Sequence, residues 1–313
     1  MEVITDTNER PFLDGTVVTI GAYDGVHLGH QAVIAEVRRR AAAAGLKTVA
    51  ITFDRHPAEI VRPESAPKTL TDLAQKLELL DKTGLDGTIV VHFDEARAAE
   101  AAEDFVAEVL VGCAAAKLIV VGEDFHFGYH RRGNVEMLRT IGATEGFEVE
   151  PIGLVPRTDG IDEPISSTAI RRSLAGGEVD VAARLLGRPH EVRGTVVMGD
   201  QRGRLLGFPT ANVEVPNQIA MPADGVYAGW YERPDGEVNA CAINIGRRPT
   251  FYEHADHSLL EAHLLDFDGD IYGERAEIRF VEFLRSERKF EGIDALIAQL
   301  KRDIEHSRTA LEA

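Results

Sequence analysis

The first 186 residues alternate short β-branched runs with stretches of helical periodicity, and the rest of the chain does not. That change of rhythm near Gly187 constrains the fold more than any other feature. Residues 16–20, 48–53, 88–93 and 117–121 read as strands, with helical patterns at 31–44, 72–82 and 98–111 between them. Gly45 and Gly84 are the expected helix stops, and Thr71 the expected N-cap of the second helix. Parallel strands need a long crossover where antiparallel ones need only a tight turn, so this rhythm predicts an α/β Rossmann-like domain: a parallel sheet covered by helices on both faces. After helices at 168–174 and 179–186 the text becomes short runs punctuated by Gly and Pro, at 192–198, 210–215, 226–231, 238–245, 259–265 and 276–284. Pro234-Asp235-Gly236 and Asp268-Gly269-Asp270 suit hairpin turns, which predicts a small, mainly antiparallel β-barrel or sandwich. A C-terminal helix at 294–311 repeats Leu296, Ile297, Leu300 and Ile304 at helical spacing. The expected domains are therefore 1–186 and 187–313, in keeping with 313 residues at about 150 per domain.

Charge excludes one class of partner. The chain carries 34 basic against 52 acidic residues, a net charge of -18, the wrong sign for neutralising nucleic-acid phosphates. Any phosphate site must be local. No stretch approaches the roughly 20 apolar residues of a membrane span, and the N-terminal segment is acidic and polar, unlike a secretory leader. Cys113 and Cys241 lie far apart without Cys-x-x-Cys spacing, offering neither a thiolate metal site nor a disulfide framework. The expectation is a cytoplasmic protein with no nucleic-acid or membrane partner.

Two stretches carry chemistry. In the first, the strand at 16–20 runs into GAYDGVHLGH, Gly21 to His30, and then into a helix. Strand, glycine turn and helix start together make phosphate geometry: Gly21, Gly25 and Gly29 admit a ligand close to the backbone, and the helix N-terminus offers unpaired N–H groups. His27 and His30, three apart, would face the same phosphate as hydrogen-bond donors. Metal ligation and chance pairing are the competing readings of a His-x-x-His pair in a chain with 11 histidines. The spacing is not Gly-x-Gly-x-x-Gly, which disfavours a nicotinamide enzyme. Downstream, Ser166, Ser167 and Thr168 are N-cap residue types with Arg171 one turn later, a second anion cradle or ordinary capping.

The second stretch is GDQRGRLLGFPTAN, Gly199 to Asn212. Gly199, Gly203 and Gly207 imply a close-approach loop, and Arg202 and Arg204 would meet phosphates. Thr210 and Asn212, alternate residues at a strand start, point to one side with oxygens suited to a hard cation such as Mg²⁺. Asp266, Asp268 and Asp270 do not make a calcium loop, because Arg275 stands where the bidentate Glu belongs.

Gly21 to His30 resembles the His-x-Gly-His nucleotidyltransferases, and Asp24-Gly25 the flavin adenylyltransferase branch. VGEDFHFG at 121–128, with Asp124, and ISSTAIR at 165–171 resemble that family's further nucleotide-site motifs. Gly199 to Asn212 resembles the riboflavin kinase signature, followed in order by GVYAG at 225–229, NIGRRPTF at 244–251, EAHLLDFDGDIYG at 261–273 and FLRSERKF at 283–290. The chain thus resembles the bifunctional prokaryotic riboflavin kinase/FAD synthetase family over nearly its whole length. The resemblance implies that the C-terminal half phosphorylates riboflavin to FMN with ATP, and that the N-terminal half adenylylates FMN to FAD with release of pyrophosphate. It implies Glu261 as general base, Gly199, Gly203, Arg204, Gly207, Thr210 and Asn212 at Mg·ATP, and Arg285 and Arg288 at the flavin. At the adenylyltransferase ATP site it implies Gly21, Asp24, Gly25, His27, His30, Asp124, Ser166, Ser167, Thr168 and Arg171, with His27 and His30 carrying the chemistry. No cofactor beyond Mg²⁺ with ATP is expected. Tyr23 stands where the family usually has Phe, so its hydroxyl needs a partner if buried. Retention of one activity only, or a non-catalytic flavin-binding regulator, are the alternative readings.

Overall fold

The computed structural model describes residues 1–199, 203, 206–246 and 259–312. The chain divides into two compact units, Met1–Ser166 and Ser167–Ala313.

The first unit is built on a six-stranded sheet of β1 (Glu2–Ile4), β2 (Thr16–Ile20), β3 (Lys47–Phe53), β4 (Gly87–Val91), β5 (Ala116–Gly122) and, after the two-stranded ribbon β6 (His126–Phe127) and β7 (Gly133–Asn134), β8 (Glu148–Ile152). The spatial order is β1-β4-β3-β2-β5-β8 and every pair in it is parallel. The expected strands are present with ends shifted by a residue or two; β1 and β8 are additions. Both are edges. β1 has three residues, and β8 contains Pro151, tolerated because an edge strand leaves one row of N–H groups unpaired.

The central strands are apolar on both faces, as a covered sheet requires. In β2 all five residues are buried, with Val17 packing into one core and Val18 into the other. The Val17 side is roofed by α1 (Leu28–Ala44), which buries Ile34, Val37 and Ala41 at positions i, i+3 and i+7 and ends on left-handed Gly45. After the short α2 (Ala58–Val61), α3 (Leu73–Lys82) buries Leu80 in the same core. Its N-cap is Asp72, whose carboxylate accepts from Gln75 N at 2.7 Å, and not Thr71. Thr71 Oγ1 instead accepts from Gly25 N at 3.2 Å, a tertiary bond. The helix expected at 98–111 is broken into α4 (Glu95–Ala98), α5 (Ala102–Phe105) and a π-helical stretch, Val106–Cys113, closed by Ala114 N donating to Val109 O. The wider π turn lets Val106, Val109, Leu110 and Cys113 all reach the Val18 core. α6 (Val135–Glu145) adds Leu138 to that core.

The second unit opens with α7 (Ser167–Ala175) and α8 (Val179–Leu186). Then β9 (His190–Val197), β10 (Ala211–Glu214), β11 (Gly225–Glu232), β12 (Val238–Gly246), β13 (Leu259–Leu264) and β14 (Arg275–Arg285) form a closed barrel in the order β10-β13-β12-β11-β14-β9. All its pairings are antiparallel, and closure leaves no open sheet edge. The Asp235-Gly236 turn joins β11 to β12 with Gly236 at φ 86. α9 (Ile293–Glu312) packs on β11, β12 and β14. Its expected apolar stripe is only half-buried. The buried positions, spaced by one helical turn, are Gln299, Asp303 and Ser307. These polar side chains are buried because they are bonded: Gln299 Nε2 donates to Asp303 Oδ1 at 2.7 Å, and Ser307 Oγ to the Asp303 carbonyl at 2.9 Å.

Gly229 in β11 sits at a register shift against β14, and a Cβ there would stand 2.2 Å from Arg279 O and 2.6 Å from Ile243 Cδ1. The Arg279 carbonyl cannot move without opening the barrel. Gly229→Ala is therefore expected to destabilise the second unit by about 1–3 kcal/mol. Trp230 is the chain's sole tryptophan, so urea unfolding followed by its fluorescence reads this unit alone.

Candidate functional sites

The strand order reverses between β2 and β5, the topological switch point at which open α/β sheets bind ligands beyond the strands' carboxyl ends. Gly21 to His30 follows β2 there, and Gly122 with Asp124 follows β5. The turn after β2 is strained: Tyr23 has φ 49 and Val26 φ 39, left-handed values that cost a β-branched residue most, alongside Gly25 at φ 81. It persists because it is tied on all sides. Asp24 Oδ1 accepts from Leu70 N at 2.7 Å and Thr71 N at 3.2 Å. Gln31 Nε2 donates to Val26 O at 2.8 Å, and Gly21 N to Ile51 O at 3.0 Å. The Tyr23 hydroxyl, fully buried, finds its partner in Thr19 Oγ1 at 2.7 Å, and burial pushes its pKa up. Asp24 thus shapes the turn by bracing it.

His27 caps α1: its Nδ1 accepts from His30 N at 3.3 Å. With Nδ1 accepting, the neutral ring carries its proton on Nε2. The His27 and His30 rings stack with centroids 3.6 Å apart, and Tyr23 meets His30 edge-on at 5.0 Å. Burial holds the His30 pKa well below the ordinary range, with His27 and Lys76 adding to the depression, so His30 is neutral. Its Nδ1 is buried with no partner among the described residues. A Cβ on Gly29 would be tightly placed, 3.1 Å from the His27 ring and 3.2 Å from Ile165 O. That contact brings the segment before Ser166 against the cap of α1. Arg157, its side chain 1% exposed, braces the same segment on Asp159 and Glu163. Ser166 ends the first unit; Ser167, Thr168 and Arg171 lie on α7 of the second.

In the barrel, register does what the sequence does not display. Glu261 on β13 pairs with Asn212 on β10 and with Asn244 on β12, so the three side chains form one row across adjacent strands. They face a cavity of about 410 Å³ whose other walls are Arg285, Arg288 and Phe290 and the α9 residues Leu296, Leu300 and Asp303. A second cavity, about 320 Å³, is lined by Phe267, Asp268, Asp270 and Tyr272 and shares Thr210 and Asn212 with the first. Asn212 is 6% exposed, and its Oδ1 is buried without a partner among the described residues. Gly199 admits it: a Cβ there would lie 2.3 Å from Asn212 Nδ2. Gly203 lets Phe208 O approach in the same way, and Gly207 has φ 85. Arg202 and Arg204, with most of the NIGRRPTF stretch, lie outside the described residues.

Arg285 and Arg288 are already engaged. Arg285 holds Asp303 through Nε at 3.0 Å and Nη2 at 2.7 Å, and Arg288 bonds Gln299 Oε1. Both guanidinium groups lie over the Phe290 ring. Asp266 is bound in bidentate fashion by Arg308, and among the described residues no cluster of His, Cys, Asp or Glu has the makings of a metal site. Asn244 lies in the NIGRRPTF stretch, but its place beside Glu261 needs cross-strand register; Asp303 and Lys76 depend on tertiary contacts that the sequence does not display.

The family model described as FAD synthetase matches residues 9–169, and that described as riboflavin kinase matches 186–311. The chain is 38% identical over 302 residues to a bifunctional riboflavin kinase/FMN adenylyltransferase of Haemophilus influenzae, covering 96% of each. It is 37% identical to that of Escherichia coli K12, covering 93% of this chain and 91% of the relative. A crystal structure from Streptococcus pneumoniae, described as a macrolide-efflux protein, superposes with a TM-score of 0.86 at 31% identity, covering 98% of this chain and 99% of that one. Among the described residues no helix is long and apolar enough to cross a membrane. With both halves matched in order and relatives aligned almost end to end, the chain belongs to the bifunctional riboflavin kinase/FMN adenylyltransferase family.

Proposed function

We propose that the row Asn212–Glu261–Asn244 is the riboflavin kinase centre and the turn Gly21 to His30 the adenylyl-transfer centre, with the division of labour falling between residues 186 and 187. The observation that carries this is the placement of Glu261 between two carboxamides, on the wall of one cavity and beside another, with Asn212 shared by both. Riboflavin occupies the cavity walled by Phe290 and α9, and ATP enters from the side of Phe267 and Tyr272. Glu261 takes the proton of the terminal ribityl hydroxyl as that oxygen bonds the γ-phosphorus and ADP leaves. Mg²⁺ fits Thr210 and Asn212, because the buried Asn212 Oδ1 is a hard oxygen donor without a partner among the described residues; when bound it would neutralise charge on the transferring phosphoryl group.

At the other centre a phosphate oxygen of FMN attacks the α-phosphorus of ATP and pyrophosphate leaves. The nucleophile is already an anion, so no protein base is needed. His27 Nε2–H and the N-terminus of α1 donate to the oxygens on which charge grows. Ser166, Ser167, Thr168 and Arg171 are assigned to ATP binding from the motif they form. Buried, unpaired Cys113 and Cys241 support a cytoplasmic setting.

The two centres are separable by mutation. His27→Ala is expected to lower FAD formation from FMN by roughly 100-fold or more while FMN formation stays within about twofold of the parent. Glu261→Gln is expected to do the reverse, with FMN formation falling by roughly 100-fold or more. Chromatography of riboflavin, FMN and FAD over time reads both, and parallel loss of the two activities in either variant contradicts the assignment. For Asn212→Leu, the Mg²⁺ concentration giving half-maximal FMN formation is expected to rise, while the Mg²⁺ dependence of FAD formation is unchanged.

A further inference from the structure

Lys76 on α3 is 7% exposed, although lysine is among the residue types least often buried. Its ammonium donates to Phe53 O at 2.7 Å and to Ala22 O at 3.3 Å. Those carbonyls belong to the carboxyl ends of β3 and β2, the strands flanking one side of the switch point. Thr52 Oγ1 donates to the same Ala22 carbonyl at 3.2 Å, so Ala22 is held from two sides. Ala22 immediately precedes the strained Tyr23, and Lys76 is thereby a strut under a segment that holds two non-glycine residues, Tyr23 and Val26, in the left-handed region.

The charge is as unusual as the position. Among the described residues no carboxylate stands within ion-pair distance of Lys76 Nζ, and its contacts are neutral carbonyls. The ionisable groups that face it come from four elements: Asp24 in the turn after β2, Asp54 after β3, Glu59 on α2 and His30 on α1. The three carboxylates favour the ammonium at a distance, while His30, kept neutral, contributes no charge of its own. A buried cation without a contacting counter-ion is costly in an empty site and favourable beneath a polyanion.

We propose that Lys76 is a positioning residue for adenylyl transfer: its ammonium ties the ends of β2 and β3, fixes the turn that receives the nucleotide's phosphates, and supplies beneath that turn the positive charge that neutral His30 does not. This rests on the assignment of Gly21 to His30 to ATP. Burial lowers the Lys76 pKa to about 8, against the pull of Asp24, Asp54 and Glu59, so the strut loses its proton as pH rises through that value. ATP binding favours the protonated form, so the alkaline limb lies near pH 8 in kcat/KM, which reports the free enzyme, and higher in kcat.

The test uses the full-length protein, with FMN and Mg·ATP for FAD formation and riboflavin and Mg·ATP for FMN formation, from about pH 6.5 to about 9.5. Lys76→Met removes the charge and keeps the stem; Lys76→Arg keeps the charge. The expected result is a wild-type kcat/KM for FAD formation that falls through about pH 8, with no such limb in FMN formation. Lys76→Met is expected to show kcat/KM for FAD formation roughly 10- to 100-fold lower and flat across that window, with FMN formation within about twofold of wild type. Lys76→Arg is expected to recover part of the rate with its limb moved to higher pH. Wild-type rate and an unchanged limb in Lys76→Met overturn the inference, as does an Arg variant as slow as Met when both melt at the wild-type temperature. If Lys76→Met is unstable, the position of the limb in Lys76→Arg decides. A wild-type protein that forms no FAD from FMN defeats the underlying assignment instead, and is seen before any variant is compared.

Discussion

The turn between β2 and α1 is a conformation the chain would not hold by itself. Two non-glycine residues in the left-handed region, one of them the β-branched Val26, cost of order 1–3 kcal/mol each, and that strain survives only where the surroundings over-determine it. Here they do. The segment from Leu70 to Lys76 supplies two amides to Asp24, a hydroxyl to Gly25 and an ammonium to Ala22. The benefit is local: α1 begins with its N-terminus open to the carboxyl side of the sheet and with His27 locked in one tautomer. A relaxed turn would let the backbone amides rotate apart, and the proposed anion site would dissolve even with every side chain present.

The barrel solves the same problem of pre-organisation by other means. Asn212, Glu261 and Asn244 sit on strands, and neighbouring strands fix their spacing through the hydrogen-bond ladder, so little strain is needed. Around α9 side chains do the fixing, where a buried Asp303–Gln299 pair grips Arg285 and Arg288. Burying such charged groups contributes little net stability, but removing one partner leaves the other uncompensated, which makes the arrangement definite.

What could be read from the sequence follows burial. β2, β3, β4 and β5 are legible as continuous β-branched runs because both their faces are covered, and the glycine-bounded α1 because one face is. The edges β1 and β8 are not, since short length, Glu148, Glu150 and Pro151 erase the apolar signal. The π stretch at Val106–Cys113 keeps an ordinary helical composition, so only its hydrogen bonds reveal it. Thr71 and Asp72 are both capping types, and choosing between them requires knowing that Gly25 lies opposite Thr71. In α9 the polar residues Gln299, Asp303 and Ser307 look solvent-facing until Arg285 is placed beside them. His27, His30, Glu261, Asn212 and Asn244 are visible because they lie in contiguous motifs; the row that three of them form, and the place of Lys76, depend on folds of the chain that no linear spacing encodes.

The cross-strand alignment of Asn212, Glu261 and Asn244 makes this half of the protein unequally tolerant of different genetic lesions. A point replacement at any one of them removes a single functional group. Deleting one neighbouring residue from β13 would rotate everything beyond it by half a pleat, sending the carboxylate to the opposite face and an alanine or leucine into its place. Natural variation in length should therefore concentrate in the connections between these strands, while the strands themselves keep a constant count.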